Sequence, residues 1–347
     1  MVLSLDEQSN NRERYSRQML FPPIGVSGQQ KIEAATVVVV GMGALGTVIA
    51  NHMARAGIGT LRIIDRDYVE RSNLQRQMLY DEDDVLQVRP KVVAAQRKLG
   101  FINADVTVEA IVSHVTAENA EELVAGADLV LDGTDNFQTR LLLNDVCFKR
   151  GIPFIYGGAV SSHGMTAVFI PGQTSCLRCL LGAGDSGGDT CDTVGVISPI
   201  VDIIASLQAV EALKFIVGAT GAQRQGLLSL EIWQHQMMDL KLPPARENCP
   251  TCGLRQFPSL QAGNGGGGAV TLCGRETVQI SGSRALDLEH MAAKLARSCE
   301  LQRNPYLLKA LLPEGERLVL FADGRVLVQG TEDLDRAQSL YDRYIGS

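Results

Sequence analysis

The chain has 347 residues, of which 45% are hydrophobic and 20% are charged, and its formal net charge is −7. This length accommodates two or three domains, and the acidic balance excludes a basic nucleic-acid-binding protein. No apolar run approaches the ~18 residues that span a bilayer, and the polar start predicts no secretory signal. We therefore expect a cytoplasmic protein without a membrane partner, in which eight cysteines suggest metal binding or catalysis before disulfides.

The first predicted element is a short helix over residues 12–21, RERYSRQMLF. It carries three arginines, among them Arg14 and Arg17, which lie on nearby faces of a helical turn. The simplest interpretation of these arginines is a solvated basic face.

Residues 36–65 have the pattern of a nucleotide-binding βαβ unit. The β-branched run TVVVV at 36–40 predicts a buried parallel strand, and it ends in the glycine turn GMGALG at 41–46. The turn leads into a helix whose free N–H groups face a phosphate, and a second strand then ends in Asp65, placed for a ribose hydroxyl. Such a unit fits users of NAD, FAD, ATP or S-adenosylmethionine, and a glycine turn without a ligand is the remaining alternative.

A polar run, SNLQRQ, follows this unit at residues 72–77. It lies beyond the carboxyl end of a parallel strand, where Asn73 and Arg76 are placed to hold phosphate or ribose. Lys91 opens the next helix, a position that the helix dipole disfavours unless an anion lies beside it. A solvated lysine is the alternative.

Strands and helices continue to alternate up to about residue 160. Strands are predicted at 106–111, 128–131 and 153–156, and helices at 117–124 and 137–149. This alternation predicts an α/β fold with a doubly wound, mostly parallel sheet. Polar clusters at 41–46, 65–76 and 133–136 then meet at one crevice, which predicts a nucleotide site more strongly than the glycines alone.

Two Cys-x-x-Cys pairs follow, Cys176 with Cys179 and Cys249 with Cys252. Together they form a Cys₄ set that suits tetrahedral Zn²⁺ in a closed, structural site. Such a site would join two distant segments around a long apolar helix that begins at Ser198. A redox Cys-x-x-Cys is the alternative for either pair alone.

Cys191 differs from these four. It follows a glycine-rich segment at 182–189, where an exposed thiol is a candidate nucleophile, yet no adjacent histidine or lysine would activate it. An inert loop cysteine is an equal alternative. Cys147, Cys273 and Cys299 have the surroundings of core residues.

The C-terminal part begins with a glycine-rich linker at 258–269, so residues 1–257 are predicted to form the first domain. Residues 270–347 are predicted to form a small α+β module with strands at 278–280, 317–321 and 325–329 and helices at 286–296 and 333–344. Asp323-Gly324 marks a hairpin between the last two strands. The task of this module is open between a docking surface and a stabilising appendage.

Taken together, these motifs resemble the ThiF/MoeB/HesA adenylyltransferases, bacterial relatives of the ubiquitin-activating enzymes. The resemblance covers about residues 12–257, and the C-terminal module is similar to the extension of a longer subgroup. It rests on RYSRQ at 14–18, GMGALG at 41–46, IDRDYVERSNLQRQ at 64–77, RPK at 89–91, TDN at 134–136 with Arg140, the two Cys-x-x-Cys pairs, and CDTVGVISP at 191–199.

The resemblance implies that ATP adenylylates the C-terminal glycine carboxylate of a small ubiquitin-fold sulfur carrier of the ThiS or MoaD type that ends in Gly-Gly. Pyrophosphate is released, and the acyl-adenylate then accepts sulfur to give a thiocarboxylate for thiamine or molybdopterin synthesis. The resemblance also implies a homodimer, bound Mg²⁺ and a sulfur donor such as a cysteine desulfurase.

The resemblance further implies roles for individual residues. Asp65 would bind the ribose, Asn73, Arg76 and Lys91 the phosphates, and Asp135 would lie near Mg²⁺ and the α-phosphate, while Arg17 would reach the ATP of the neighbouring subunit. Arg76, Lys91, Asp135 and Cys191 are the implied catalytic residues, and the remaining implied ATP contacts are Gly41, Gly43, Ala44, Gly46, Asp67 and Asn136. Ala44 departs from the glycine of many members, and the loop cysteine, here Cys191, bonds to the carrier in some members and is dispensable in others.

Two other classes of protein remain in view. A nicotinamide-dependent oxidoreductase would explain residues 41–65 but neither the cluster of Asn73, Arg76 and Lys91 nor a Cys₄ site. A non-enzymatic, zinc-stabilised scaffold for a ubiquitin-fold partner would have little reason to retain Asp65 and Asp135 together with that cluster. The motifs do not identify the carrier, because they handle ATP.

Overall fold

The computed structural model describes residues 13–181, 194–261, 269–272, 276–282 and 284–346. The first of its two sheets has the strand order β3-β2-β1-β4-β5-β6-β7-β8. Strands β3, β2, β1, β4 and β5 are parallel, and β6 to β8 continue the sheet in antiparallel pairs. The predicted doubly wound, mostly parallel sheet is therefore confirmed. Its strands are β1 Thr36–Val40, β2 Thr60–Asp65, β3 Thr107–Val112, β4 Leu129–Asp132, β5 Phe154–Val160, β6 His163–Phe169, β7 Gly226–Glu231 and β8 Gln236–Lys241.

Helices cover both faces of this sheet, which explains why the residues of β1 after Thr36 are uniformly apolar. Val37 and Val39 pack into one hydrophobic cluster, whereas Val38 and Val40 pack into the other. Because both faces of the strand are buried, its sequence does not alternate between apolar and polar residues. The helices are α1 Ser16–Met19, α2 Gly25–Ala34, α3 Ala44–Ala56, α4 Glu82–Leu86, α5 Lys91–Ile102, α6 Ala120–Leu123, α7 Phe137–Arg150, α8 Leu177–Leu181 and α9 Ser198–Val217, with short 3₁₀ turns at Arg71–Asn73 and Thr220–Ala222.

Helix α9 begins with Pro199 in its first turn and packs against β5 and β6. Although it is strongly apolar, no helix in the described ranges is both long and apolar enough to cross a membrane. Strand β5 was predicted to end at Tyr156, but it continues through two glycines to Val160. A Cβ on Gly157 would lie 2.3 Å from Gln208 Oε1, so the glycine is required for α9 to lie directly over the strand.

Strand β8 was not predicted. All six of its residues are exposed, so its sequence lacks the alternation of polar and apolar residues that marks a half-buried strand. It forms the outer edge of the sheet, next to β7.

The second sheet is antiparallel and has the order β11-β12-β13-β14-β10-β9. The predicted hairpin is confirmed, with Gly324 at φ +96° between β13 and β14, whereas β9, β11 and β12 were not predicted. Residues Pro258–Gln261, assigned to the linker from the sequence, form a short helix, α10. The remaining elements are β9 Ala269–Leu272, β10 Thr277–Ser281, α11 Leu288–Leu295, β11 Glu300–Arg303, β12 Leu307–Leu311, β13 Arg317–Phe321, β14 Arg325–Gln329 and α12 Leu334–Tyr344.

Candidate functional site

The glycine turn joins β1 to α3 and packs against the loop that follows β4. Gly41 has φ +87°, and a Cβ on it would lie 2.7 Å from the backbone carbon of Gly133. A Cβ on Gly46 would lie 1.8 Å from the carbonyl oxygen of Gly41. Only glycine fits both positions, and the turn places Gly43 and Ala44 at the start of α3, where the backbone N–H groups of the first turn are available to an anion.

Tyr80 supports this turn from outside the βαβ unit. Its hydroxyl donates a hydrogen bond of 2.7 Å to the carbonyl of Met42, and the residue is buried. Sequence reasoning missed this contact, because nothing in the local pattern connects Tyr80 to a turn residue 38 positions earlier in the chain.

Asp65 ends β2 with its carboxylate held by backbone donors. Oδ2 accepts from Met42 N at 2.6 Å and Oδ1 from Asp67 N at 2.7 Å. A carboxylate has about four acceptor positions, so these two bonds orient it and leave capacity for a ribose hydroxyl. Burial raises the pKa of Asp65, and the positive charge of Lys91 opposes that rise.

Lys91 is 5% exposed, so the solvated-lysine alternative is wrong. Its Nζ lies 3.4 Å from Asp67 Oδ2, and its backbone N–H donates to the Asp67 carbonyl at 2.9 Å. The anion that the helix dipole requires beside this lysine is thus a side chain of the neighbouring loop. Asp67 and Lys91 form a pair at the same edge of the sheet as Asp65.

Asn73 and Arg76 lie in the segment after Asp67. Asn73 caps the 3₁₀ turn, because its Oδ1 accepts a hydrogen bond from Glu70 N at 3.0 Å. A ligand would therefore be bound through the side-chain amide N–H groups of Asn73. Arg76 is half-buried and donates to the Ser72 carbonyl at 3.1 Å. The structure therefore gives Asn73 a capping role in addition to any ligand contact.

The loop carrying Asp135 is held by a buried ion pair. Asp132, fully buried at the end of β4, accepts from Thr134 N at 2.9 Å and Thr134 Oγ1 at 2.7 Å. Its other oxygen lies 3.0 Å from Arg140 Nε, and Arg140 also donates to the Thr134 carbonyl at 2.6 Å. Burial raises the pKa of Asp132, and Arg140 opposes the rise. The pair fixes the backbone immediately before Asp135.

Further residues complete this support. The Arg140 guanidinium stacks over the rings of Phe137 and Tyr156 at 5.1 and 5.3 Å. Gln208 of α9 donates to the Asp132 carbonyl at 2.8 Å and to the Ile155 carbonyl at 3.2 Å. Sequence reasoning missed Asp132, Tyr156 and Gln208 as members of the site. The one signal for Gln208 was a polar residue between Leu207 and Ala209 in a largely apolar helix.

Asp135 and Asn136 are both exposed at the start of α7. Asn136 caps this helix, since its Oδ1 accepts from Thr139 N at 2.8 Å. The three strand-end clusters thus follow β1, β2 and β4, which are parallel neighbours, so they lie at the same edge of the sheet, where the sequence predicts a nucleotide-binding crevice.

Arg17 does not lie with the other candidates. Helix α1 packs at the opposite end of α3, where Gln18 donates to the Ala56 carbonyl at 3.0 Å. The glycine turn is at the other end of this 13-residue helix, about 18 Å away at 1.5 Å per residue. The exposed Arg17 is therefore separated from the crevice of its own chain. Cys191 lies outside the described residues.

The four predicted ligand cysteines come together. Their sulfur atoms all lie within 4.8 Å of one another, with 3.6 Å between Cys176 and Cys249 and 3.5 Å between Cys179 and Cys252. Tetrahedral Zn²⁺ with Zn–S bonds of ≈ 2.3 Å separates its thiolates by about 3.8 Å, so the donor set fits this ion. With four sulfur ligands the site would be closed, which matches a structural role.

Asp145 of α7 connects the two Cys-x-x-Cys loops through one residue in each. It is fully buried and lies 2.5 Å from Thr251 Oγ1 and 3.0 Å from the guanidinium of Arg178. Thr251 lies between Cys249 and Cys252, and Arg178 between Cys176 and Cys179. Asp145 also accepts from Ser259 N at 2.8 Å, which attaches α10 to the same centre. One carboxylate thus sets the relative position of both cysteine pairs.

Comparison with known proteins shows extensive similarity. Residues 15–251 match the ThiF family. A Bacillus subtilis (strain 168) protein named sulfur carrier protein ThiS adenylyltransferase is 48% identical over 338 residues, which cover 96% of this chain and 99% of that protein. An Escherichia coli (strain K12) protein of the same name is 38% identical over 70% of this chain and 97% of its own. The crystal structure of E. coli MccB with ATP superposes with a TM-score of 0.61 and 25% identity, covering 69% of this chain and 74% of that one.

Proposed function

The chain belongs to the ThiF family, and we propose that it transfers the adenylyl group of ATP to the C-terminal carboxylate of a ubiquitin-fold sulfur-carrier protein of the ThiS kind. The observation that carries this proposal is the crevice itself. The glycine turn, Asp65 and the Asp67–Lys91 pair adjoin the Asp135 loop there, in a chain nearly half identical over its length to a named ThiS adenylyltransferase.

The chemistry matches the residues in this crevice. A carboxylate oxygen of the carrier attacks the α-phosphorus of ATP, forming an acyl–O–P bond while the bond to the β-phosphate breaks and pyrophosphate leaves. A C-terminal carboxylate, with a pKa of ≈ 3.3–3.7, is already ionised at neutral pH, so the reaction needs positioning and positive charge and no general base. Lys91 and Arg76 supply that charge.

The proposed contacts follow from position. The N-terminus of α3 and residues 41–46 approach the phosphates, Asp65 takes the ribose, and Asn73, Arg76 and Lys91 hold the phosphates as charge moves to the leaving group. Asp67 orients Lys91. The exposed Asp135 carboxylate would hold Mg²⁺, an oxygen-preferring ion that neutralises phosphate charge when bound.

Three assignments concern the assembled protein. The Cys₄ cluster would hold structural Zn²⁺. Arg17, separated from its own crevice, would reach ATP bound to a second copy of the chain in a cytoplasmic homodimer. A sulfur donor such as a cysteine desulfurase would supply the sulfur that displaces AMP from the acyl-adenylate to give a thiocarboxylate. Thiamine synthesis is favoured over molybdopterin synthesis because a relative named for ThiS is 48% identical over nearly the whole chain.

ATP–pyrophosphate exchange tests the proposed function. Purified protein is incubated with labelled pyrophosphate, ATP and a ThiS-type carrier, either intact or lacking its terminal glycine. Exchange with the intact carrier alone is expected, because the terminal carboxylate must reach the α-phosphorus. No exchange with ThiS-type or MoaD-type carriers would overturn the proposal.

A further inference from the structure

The C-terminal module, described here by residues 269–272, 276–282 and 284–346, packs against the segment that carries the candidate ATP contacts. One face of its sheet meets Tyr68 and Val88, which are themselves buried. The module side of this contact consists of Leu307, Val319, Phe321 and Leu327. Their neighbours along the strands, such as Leu308 and Val328, point to the opposite face and pack in the cluster that includes residues of α11 and α12.

Polar contacts from the module reach the backbone between the two aspartates. Arg66, which separates Asp65 from Asp67, donates to Gln279 Oε1 at 3.1 Å. The Arg66 carbonyl in turn accepts from Arg325 at 3.3 Å. Because the Asp67 N–H orients the Asp65 carboxylate, the conformation of residue 66 determines where that carboxylate points.

Gln329 extends the contact towards Asn73. Its Oε1 lies 3.1 Å from the Tyr68 hydroxyl, and its Nε2 donates to Glu70 Oε1 at 3.3 Å. Glu70 is the capping residue of the 3₁₀ turn, and its backbone N–H is bonded to Asn73. The module therefore holds the first turn of the phosphate-side segment as well as the ribose-side aspartate.

The module also holds the chain that leads into Lys91. Asn304 donates to the carbonyls of Val88 at 2.7 Å and Gln87 at 3.1 Å. Val88 has φ +49°, a left-handed conformation that a β-branched residue adopts only where its surroundings impose it. Val69 N donates to the Arg89 carbonyl at 2.9 Å, so the two segments are bonded to each other beneath the module.

We propose that the C-terminal module is a positioning device for ATP binding, which holds residues 66–70 and 87–89 so that Asp65, Asp67 and Lys91 are presented in one geometry. Leu307, Asn304, Arg325 and Gln329 act through these segments and are positioning residues. This inference rests on the proposed function for its consequence in catalysis, but the ordering of the loop can be measured without it.

Two adjacent leucines of β12 give a matched test in the full-length protein. Leu307 faces Tyr68 and Leu308 faces the helices of the module, and both are fully buried. Leu307→Ala is expected to raise the KM for ATP about ten-fold, with a smaller change in the KM for the carrier, because misplaced contacts weaken ATP binding. Both variants are expected to lower the melting temperature by a similar amount, because each removes a fully buried leucine side chain. Leu308→Ala, however, is expected to leave the KM for ATP within about two-fold of the unmodified protein's value.

Amide hydrogen exchange without ATP or carrier provides the independent readout. Faster exchange at residues 66–76 in Leu307→Ala than in Leu308→Ala is expected. If either variant fails to fold, Gln329→Leu, which removes the bonds to Tyr68 and Glu70, is compared with Arg336→Leu, which removes the ion pair with Glu316 within the module.

Equal exchange at residues 66–76 in the matched variants would overturn the inference, as would equal effects on the KM for ATP. If the unmodified protein shows no carrier-dependent pyrophosphate exchange, the proposed function is overturned instead. The hydrogen-exchange comparison would still decide whether the module orders residues 66–76.

Discussion

Arg140 and Asp132 form an ion pair of 3.0 Å in which the Asp132 side chain is fully buried. Both residues also bind Thr134, through its N–H, its hydroxyl and its carbonyl. A buried pair of this kind contributes little net stability when complete, but removal of one partner leaves an uncompensated charge. The pair is therefore a sensitive means of testing how the Asp135 loop is held.

Asp132→Asn is expected to lower the free energy of unfolding by about 3–5 kcal/mol, because Arg140 keeps its charge without a partner. Pyrophosphate exchange should fall as well, since the loop before Asp135 loses its anchor. Urea denaturation measures the first effect. Glu121→Gln is the control: it removes the ion pairs that Glu121 of α6 forms with Lys149 and Arg150 of α7 at a more exposed site, and it should cost no more than about 1 kcal/mol. Equal losses in the two variants would contradict the account.

Gly46→Ala is expected to abolish ATP binding and to destabilise the fold, because the new Cβ would lie 1.8 Å from the Gly41 carbonyl oxygen. Gly100→Ala is the matched control, since a Cβ there meets nothing within 4 Å and the position is helical. Calorimetric titration with ATP should show binding only in the control. Binding by both variants with similar affinity would show that the turn does not approach the phosphates.

The stability of the protein should depend on pH through His114. Burial, followed by the charges of Arg66 and Arg325, lowers the pKa of His114 from 6.5 to about 4, while Asp67 and Asp323 oppose the shift. Below pH 6.5 the unfolded chain therefore binds a proton that the folded protein excludes. This contribution to stability is complete above pH 6.5 and is lost as the pH falls towards 4, by up to about 1.4 kcal/mol per pH unit.

Urea denaturation of the unmodified protein and His114→Gln across pH 4.5–7.5 isolates this effect from that of the carboxylates. The difference between the two proteins should shrink or reverse in sign as the pH falls, because the variant has no imidazole to protonate. A difference that stays constant across the range would show that His114 is not held in its neutral form.

Removal of metal should loosen the part of the chain around the Cys₄ cluster. A chelator is expected to release about one zinc ion per chain and to lower the melting temperature, because a closed Cys₄ site joins segments distant in sequence. Cys249→Ser should purify without zinc, whereas Cys147→Ala, at a buried cysteine outside the cluster, should retain it. Zinc loss with an unchanged melting temperature would contradict a structural role.

Much of the parallel sheet and the position of the crevice were predictable from local patterns. Each of three predicted strands ends at a polar or glycine-rich feature: the glycine turn at Gly41, the acid Asp65 and the loop that carries Asp135. Parallel strands bring their carboxyl ends together, so these features were expected to lie side by side. The cysteine cluster was predictable for a similar reason, since the spacing within each pair already places two thiolates side by side.

Tyr80 and Gln208 were not predictable as supporting residues, because their partners are distant in the chain. They act through hydrogen bonds to backbone carbonyls, and no periodic pattern marks such contacts. Asp132 acts through nearby Thr134 and Arg140, but its position at the end of a buried strand does not by itself predict these bonds. Strand β8 escaped prediction because exposure on every residue removes the alternation on which strand assignment depends. The contact of the C-terminal module with residues 66–88 likewise arises only from tertiary packing.

The most direct test of the central claim is pyrophosphate exchange with a ThiS-type carrier in the unmodified protein and in Asp135→Ala. Asp342→Ala, which removes an exposed carboxylate of α12, is the control. We expect carrier-dependent exchange in the unmodified and control proteins, and a loss of about 100-fold or more in Asp135→Ala, because the variant lacks the acid proposed to hold Mg²⁺ near the α-phosphate. Full exchange in Asp135→Ala would contradict the assignment of this crevice as the site of adenylyl transfer.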